Sequence, residues 1–147
     1  MFSQNFYCRS KEMCTYEKHV NAPYMRREFE ISDEVDSAEV TVTSTGFYKI
    51  YINGNEITKD CLSPYITNPD QCLIYDKYDI TSQLKKGKNC IGFILGNGMA
   101  NCIGGYVWDF EKAVYRHSPS VAFNLQIEYK SGMEKCISRQ SRAPFRT

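Results

Sequence analysis

The six residues Phe47-Tyr48-Lys49-Ile50-Tyr51-Ile52 run directly into Asn53-Gly54. Apolar side chains alternate along the run, as they must where a strand turns successive residues to opposite faces. They stop at the dipeptide whose residues most readily take positive φ in a tight hairpin turn. This segment predicts a strand followed by a hairpin. The stretch up to Gly98 continues with a loop and a second strand pair. The same period of two recurs in Arg27–Ser32 and in Val40–Thr43, with Asp33–Ser37 as a polar link between them. It is clearest in Val121–Tyr129, where odd positions are large and apolar while Asn124, Gln126 and Glu128 face away. Lys130-Ser131-Gly132 then turns the chain into Met133–Arg139. Such stripes read first as core. No segment carries apolar residues at i, i+3, i+4 and i+7 over three turns, and the one helical candidate is Thr81–Lys86, opened by Thr81 and closed by Gly87. Short strands joined by Gly, Asn and Pro turns predict an all-β chain, an antiparallel β-sandwich or jelly roll with at most one or two short helical turns.

A chain of 147 residues fits one domain and has enough interior to bury about 68–70% of its unfolded surface. Residues 1–23 show no period and end at Asn21-Ala22-Pro23, so they read as a lead-in arm; residues 24–147 are the domain proper. Eighteen Lys and Arg against seventeen Asp and Glu leave a net charge of +1, too little to attract nucleic acid or an anionic membrane. Eleven Tyr and eight Phe suit strands better than helices. Cysteines at 8, 14, 61, 72, 90, 102 and 136 form no Cys-x-x-Cys pair and no Cys/His cluster at zinc spacing, which excludes a structural zinc motif. The first nine residues lack the apolar core of a secretion signal, and no apolar run approaches the roughly 18 residues of a membrane span. Reduced thiols and a cytoplasmic setting are the expectation.

Catalytic constellations are absent from the sequence. The two histidines, His19 and His117, sit in unpatterned polar segments, and no cysteine has a nucleophile's context. No acidic residue lies in a motif that marks a facing carboxyl pair for glycoside hydrolysis. Gly96-Asn97-Gly98 and Gly104-Gly105 are not followed by a helix, so they read as tight-loop backbone and not as a phosphate cradle. The stretch Asn97–Tyr115 is long and carries Tyr106, Trp108, Asp109, Phe110 and Tyr115. Sugars are held by stacking on aromatic rings while amide, carboxylate and guanidinium groups bond their hydroxyls. The loops 63–70 and 96–109 offer both kinds of group, in Asn68, Asp70, Asn97, Asn101, Tyr106, Trp108 and Asp109. The alternative is that these aromatics close the end of the core and that 63–70 is an ordinary loop between two sheets.

The ordered motifs add a family. The strands Arg26-Arg27-x-Phe29-x-Ile31 and Ser37-Ala38-x-x-x-Val42, then Gly46, Tyr48, Ile52-Asn53-Gly54, Leu62, Pro64, Thr67, Tyr78-Asp79-Ile80-Thr81, Leu84, Gly87, Asn89, Gly92 and Leu95-Gly96, follow one another in register. From about Tyr24 to Arg139 the chain resembles the N-terminal β-sandwich domain of bacterial α-L-rhamnosidases. The resemblance implies a galactose-binding-domain-like sandwich, non-catalytic, that aids substrate recognition or packs on a separate catalytic (α/α)6 barrel. A structural domain without ligand and an independent carbohydrate-binding module are the alternatives. In some members the domain binds rhamnose with calcium. Here Leu95-Gly96-Asn97-Gly98-Met99-Ala100 stands where the family reads L-G-x-G-W-Y, and Pro64-Tyr65-Ile66-Thr67-Asn68 where it reads P-G-W-T-D. Two aromatics and two acids are gone, and hard cations are held best by several carboxylate oxygens. Calcium at Asn68, Asp70 and Asn97 is therefore not favoured, and no cofactor is expected.

Overall fold

A computed structural model describes residues 6–67, 71–103 and 110–137. The strands are β1 (Tyr7–Cys8), β2 (Tyr24–Ile31), β3 (Val35–Ser44), β4 (Phe47–Ile52), β5 (Asn55–Glu56), β6 (Asp76–Asp79), β7 (Gly87–Gly96), β8 (Ser120–Tyr129) and β9 (Glu134–Ile137). They form two antiparallel sheets. A five-stranded sheet runs β1-β8-β3-β6 with β9 also paired to β8, and a four-stranded sheet runs β2-β7-β4-β5. The chain is an all-β sandwich. Helical structure among the described residues is confined to 3-10 turns at Thr81–Gln83, Met99–Asn101 and Phe110–Lys112.

The core follows from the alternation. Ile50 and Ile52 of β4 face Ile91 and Phe93 of β7, and across the interior lie Val40 and Val42 of β3 with Val121, Phe123, Leu125 and Ile127 of β8. Each fully buried apolar side chain of this size contributes roughly 1.5–3 kcal/mol. Phe93 and Phe123, one from each sheet, tilt together with ring centroids 5.2 Å apart, joining the two faces.

Several expectations change. β6 and β7 are not a strand pair: β6 pairs with β3, and β7 lies between β2 and β4 in the other sheet. The reason is the turn between them, which carries the chain across the sandwich instead of folding it back. Asn124 does not face solvent: it is 7% exposed, and the Cys136 thiol of β9 donates to its Oδ1 at 2.8 Å. Arg27 lies on the inward face of β2 with Met25 and is 3% exposed, so the alternation there includes a buried cation. The described part of the N-terminal arm, from residue 6, is tied to the sandwich, since Tyr7–Cys8 adds a short edge strand to β8. Thr81 lies inside its 3-10 turn and serves other partners.

The motif residues turn out to be fasteners. Asn53 and Gly54 take φ of +52° and +89°, the two positive values of a type I′ hairpin turn. Asn53 Nδ2 donates to Gln83 O and to Asn89 Oδ1, both at 2.9 Å, while Asn53 Oδ1 accepts the Cys90 N–H at 2.9 Å. Asn89, 2% exposed, donates to Lys85 O at 2.6 Å and accepts the Lys85 N–H at 3.0 Å. Two carboxamides thus join the hairpin, the crossing turn and the start of β7. Asp79 Oδ1 accepts from the Thr81 N–H at 2.9 Å and its hydroxyl at 2.7 Å, and Thr81 Oγ1 accepts the Ala38 N–H at 2.9 Å. Tyr48 reaches from β4 across the interior to β6, where its hydroxyl donates to Asp76 Oδ2 at 2.5 Å and lies 3.1 Å from the Tyr78 hydroxyl. Burial, reinforced by Asp76 and Tyr78, pushes the Tyr48 hydroxyl far above its ordinary pKa, so it stays a proton donor.

Two outcomes test this. Removing the Asn89 carboxamide in Asn89→Ala strands buried backbone groups and is expected to cost about 3 kcal/mol in urea unfolding, with the sheet spectrum kept. The Thr81 hydroxyl and then its N–H hold the Asp79 carboxyl below the usual aspartate pKa. A depressed acid adds stability that is present above its unfolded pKa and is lost as pH falls through the lowered folded value. Carboxyl-carbon NMR should find Asp79 titrating low in the native chain and in Thr81→Ser, and shifted upward in Thr81→Val.

Candidate functional site: the loop rim

Glycine geometry shapes one end of the sandwich. A Cβ on Gly46 would overlap the Gly96 carbonyl oxygen and lie 2.8 Å from that of Asn97, so the chain entering β4 can pass this close only without a side chain. Gly98 takes φ of +54° and turns the chain into the 3-10 turn Met99–Asn101. Opposite, the Tyr48 N–H donates to Ser63 O at 2.7 Å and fixes the start of the 63–67 loop. The Thr67 hydroxyl donates to Cys72 O at 2.5 Å, and the Thr43 hydroxyl to Ile74 O at 2.7 Å, which fold the following segment against β3.

These loops enclose an open pocket of about 360 Å3. Gly46 and Phe47 form its base, Pro64, Tyr65, Ile66 and Thr67 one wall, Leu73 and Ile74 a second, and Gly98, Met99 and Ala100 a third, with Tyr115 at the side. Its surface is mainly apolar. Tyr65 is 79% exposed at the mouth, and Ile66 and Met99 are also exposed. Of the 63–70 and 96–109 loops, the described residues Pro64–Thr67 and Gly98–Ala100 thus line one pocket.

The individual site residues fare differently. Asn97 Nδ2 donates to Val20 O at 2.8 Å, and Asn97 Oδ1 accepts from Asn101 Nδ2 at 2.7 Å. Asn101 is 1% exposed, and its Oδ1 accepts the Cys14 N–H at 2.8 Å. Both carboxamides hold the N-terminal arm. Asn68, Asp70, Tyr106, Trp108 and Asp109 lie outside the described residues. Among the described residues no group of three or more His, Cys, Asp or Glu is placed to hold a metal ion.

The sequence pattern did not mark Phe47, Tyr65, Ile66, Leu73 and Met99 as pocket residues, although the outward positions of β4 and the absent tryptophans at 66 and 99 were available signals. It also gave no sign that Cys14 and His19 meet. Their Sγ and Nδ1 are 3.9 Å apart, and the sulfur also accepts the Val20 N–H at 3.3 Å. Cys14 is 6% exposed and its carbonyl accepts from Arg116 Nη2 at 2.5 Å, so this pair braces the arm.

The family model for the α-L-rhamnosidase N-terminal domain matches residues 33–143. The chain belongs to that family. An α-L-rhamnosidase of Formosa agariphila is 35% identical over 115 residues, covering 77% of this chain and 12% of the relative. The crystal structure of a Streptomyces avermitilis α-L-rhamnosidase complexed with L-rhamnose superposes with a TM-score of 0.73 at 28% identity, over 86% of this chain and 12% of that one. An α-L-rhamnosidase from Dictyoglumus thermophilum gives the same TM-score at 26% identity, over 90% of this chain and 15% of that one. The rhamnosidase N-terminal domain thus spans about 12% of the length of the curated relatives it matches.

One outcome follows from the asparagine relay. Asn101→Ala should release the segment around Cys14, read as faster protease cleavage within residues 9–20 by mass spectrometry. The slow-exchanging amides of β7 and β8 should be unaffected.

Proposed function

We propose that this domain is a non-catalytic module of a larger α-L-rhamnosidase, with its loop rim seated against the remainder of the enzyme, including a catalytic barrel. The observation that carries the reading is the apolar pocket between Phe47, Ile66, Ile74 and Met99, with Ile66 and Met99 exposed. An apolar recess with apolar residues at its edge gains most from being covered by another protein surface. Such a surface is in keeping with the relatives, most of whose length lies beyond the region matched here. The polar groups that would recognise sugar hydroxyls at Asn97 and Asn101 are already committed to the arm.

A second reading keeps the same pocket and places a sugar in it. The exposed Tyr65 ring at the mouth favours it, because a stacking surface is half of what sugar recognition needs.

The domain added in trans to the parent enzyme lacking it should bind, and Ile66→Asp or Met99→Asp should each weaken that association about tenfold or more. Unchanged association in both variants would contradict the seating. Saturable L-rhamnose shifts confined to Tyr65, Ile66 and Thr67 in an amide NMR titration would favour the sugar reading. In either case the domain alone should not hydrolyse an aryl α-L-rhamnoside; turnover at roughly 1 per second would reveal a catalytic pair.

A further inference from the structure

Gly92 stands in the middle of β7, the strand between β2 and β4, directly opposite Arg26 on one side and Tyr51 on the other. Glycine within a strand costs roughly 0.5–1 kcal/mol relative to alanine, and it often marks a place where something outside the strand comes close. The domain itself gives no reason for it. Gly92 is not among the glycines with positive φ, and a Cβ there would meet nothing nearer than Met25 O and Tyr51 Cβ, both at an ordinary 3.8 Å. Gly46, whose Cβ would overlap backbone, is the opposite case. The side chain missing at Gly92 leaves space on the outer face of the sheet.

That space is a slot of about 300 Å3 between Tyr24, Tyr51 and Ile94, with Arg26 beside it. The tyrosines stand diagonally on the two strands flanking β7, two strand spacings or about 9.6 Å apart across the sheet and two residues or about 6.8 Å apart along it, since Tyr51 pairs with Gly92 and Tyr24 with Ile94. Tyr24 is 64% exposed. The Tyr51 hydroxyl donates to Glu56 Oε2 at 3.2 Å, and the other oxygen of Glu56 holds Lys49 Nζ at 2.5 Å, so one wall is fixed and ends in a carboxylate.

We propose that this slot is a saccharide-binding subsite, in which a pyranose ring lies over Gly92 beside Tyr51, with Tyr24 diagonally across, and its hydroxyls reach Arg26 at the edge. Aromatic walls over an apolar floor, with the Arg26 guanidinium at the edge, match a ligand with apolar faces and a hydroxylated edge. The charges around the slot balance, Arg26 and Lys49 against Glu28 and Glu56, which suits a neutral sugar better than a charged ligand. They also oppose permanent packing on a protein, because charged residues are depleted in the buried centre of such interfaces. The volume is at the small end of ligand pockets, about 300–1,000 Å3, enough for one or two rings. The subsite lies on a sheet face and does not rest on the reading of the loop rim.

The test is an amide NMR titration of the chain with L-rhamnose and, separately, with cellotetraose. At least one probe should give saturable shifts at Arg26, Tyr51, Gly92 and Phe93. Gly92→Leu fills outward space that the fold leaves open, and should lower the affinity at least about tenfold with the spectrum still folded. Tyr24→Ala, at an exposed position, should do the same and serves if Gly92→Leu fails to fold. No shifts with either probe, shifts that both variants leave unchanged, or shifts found only at residues 63–67 and 98–100 would overturn the proposal; the last would favour sugar at the rim instead.

Discussion

Two carboxamides, Asn89 buried and Asn53 half-buried, hold this sandwich in register. Asn53 and Asn89 share a hydrogen bond, and each also satisfies backbone groups of a different segment: Asn53 those of Gln83 and Cys90, Asn89 those of Lys85 and Gly87. A sheet register slipped by one residue would turn every core side chain of β7 to the outside. The apolar core supplies most of the stabilisation but is tolerant of small displacements, whereas this pair is satisfied in one geometry only. Tyr48 does similar work between the sheets, bringing β4 to Asp76 and Tyr78 of β6 through the interior.

The residues by which the chain is recognised are therefore mostly those that shape it. Gly46, Tyr48, Asn53, Asp79, Thr81 and Asn89 are each explained by a turn, a close approach or a buried hydrogen bond. A motif whose members are used up in this way identifies a fold and says little about a ligand. What the domain can do lies on surfaces that the motif leaves open, the apolar loop rim and the Tyr24–Tyr51 face.

The legible part of the fold was the part governed by short-range period. β4 occupies Phe47–Ile52 as its alternation requires, and β8 begins one residue before the stripe at Val121. β2 begins at Tyr24, ahead of its apolar stripe, and β3 begins at Val35, where an irregularity in register between Val35 and Ser37 leaves the polar Asp36 and Ser37 both exposed. β1 has two residues, too few for any period, and the contact of Asn124 with the Cys136 thiol of β9 is a side-chain detail that alternation along β8 does not reveal. The rim was legible as a meeting of two loops, but not the engagement of Asn97 and Asn101 with Val20 and Cys14, which lie at least 77 residues away in sequence. Contacts of that separation leave no local pattern.

The most direct measurement is a folding-stability scan of single substitutions across the chain, read by protease resistance. The account predicts clear losses at Gly46, Tyr48, Asn53, Asp79, Thr81 and Asn89, and near-neutral values at Tyr24, Tyr51 and Gly92. Free substitution at those six positions, with stability losses at Gly92 and the two tyrosines instead, would contradict it.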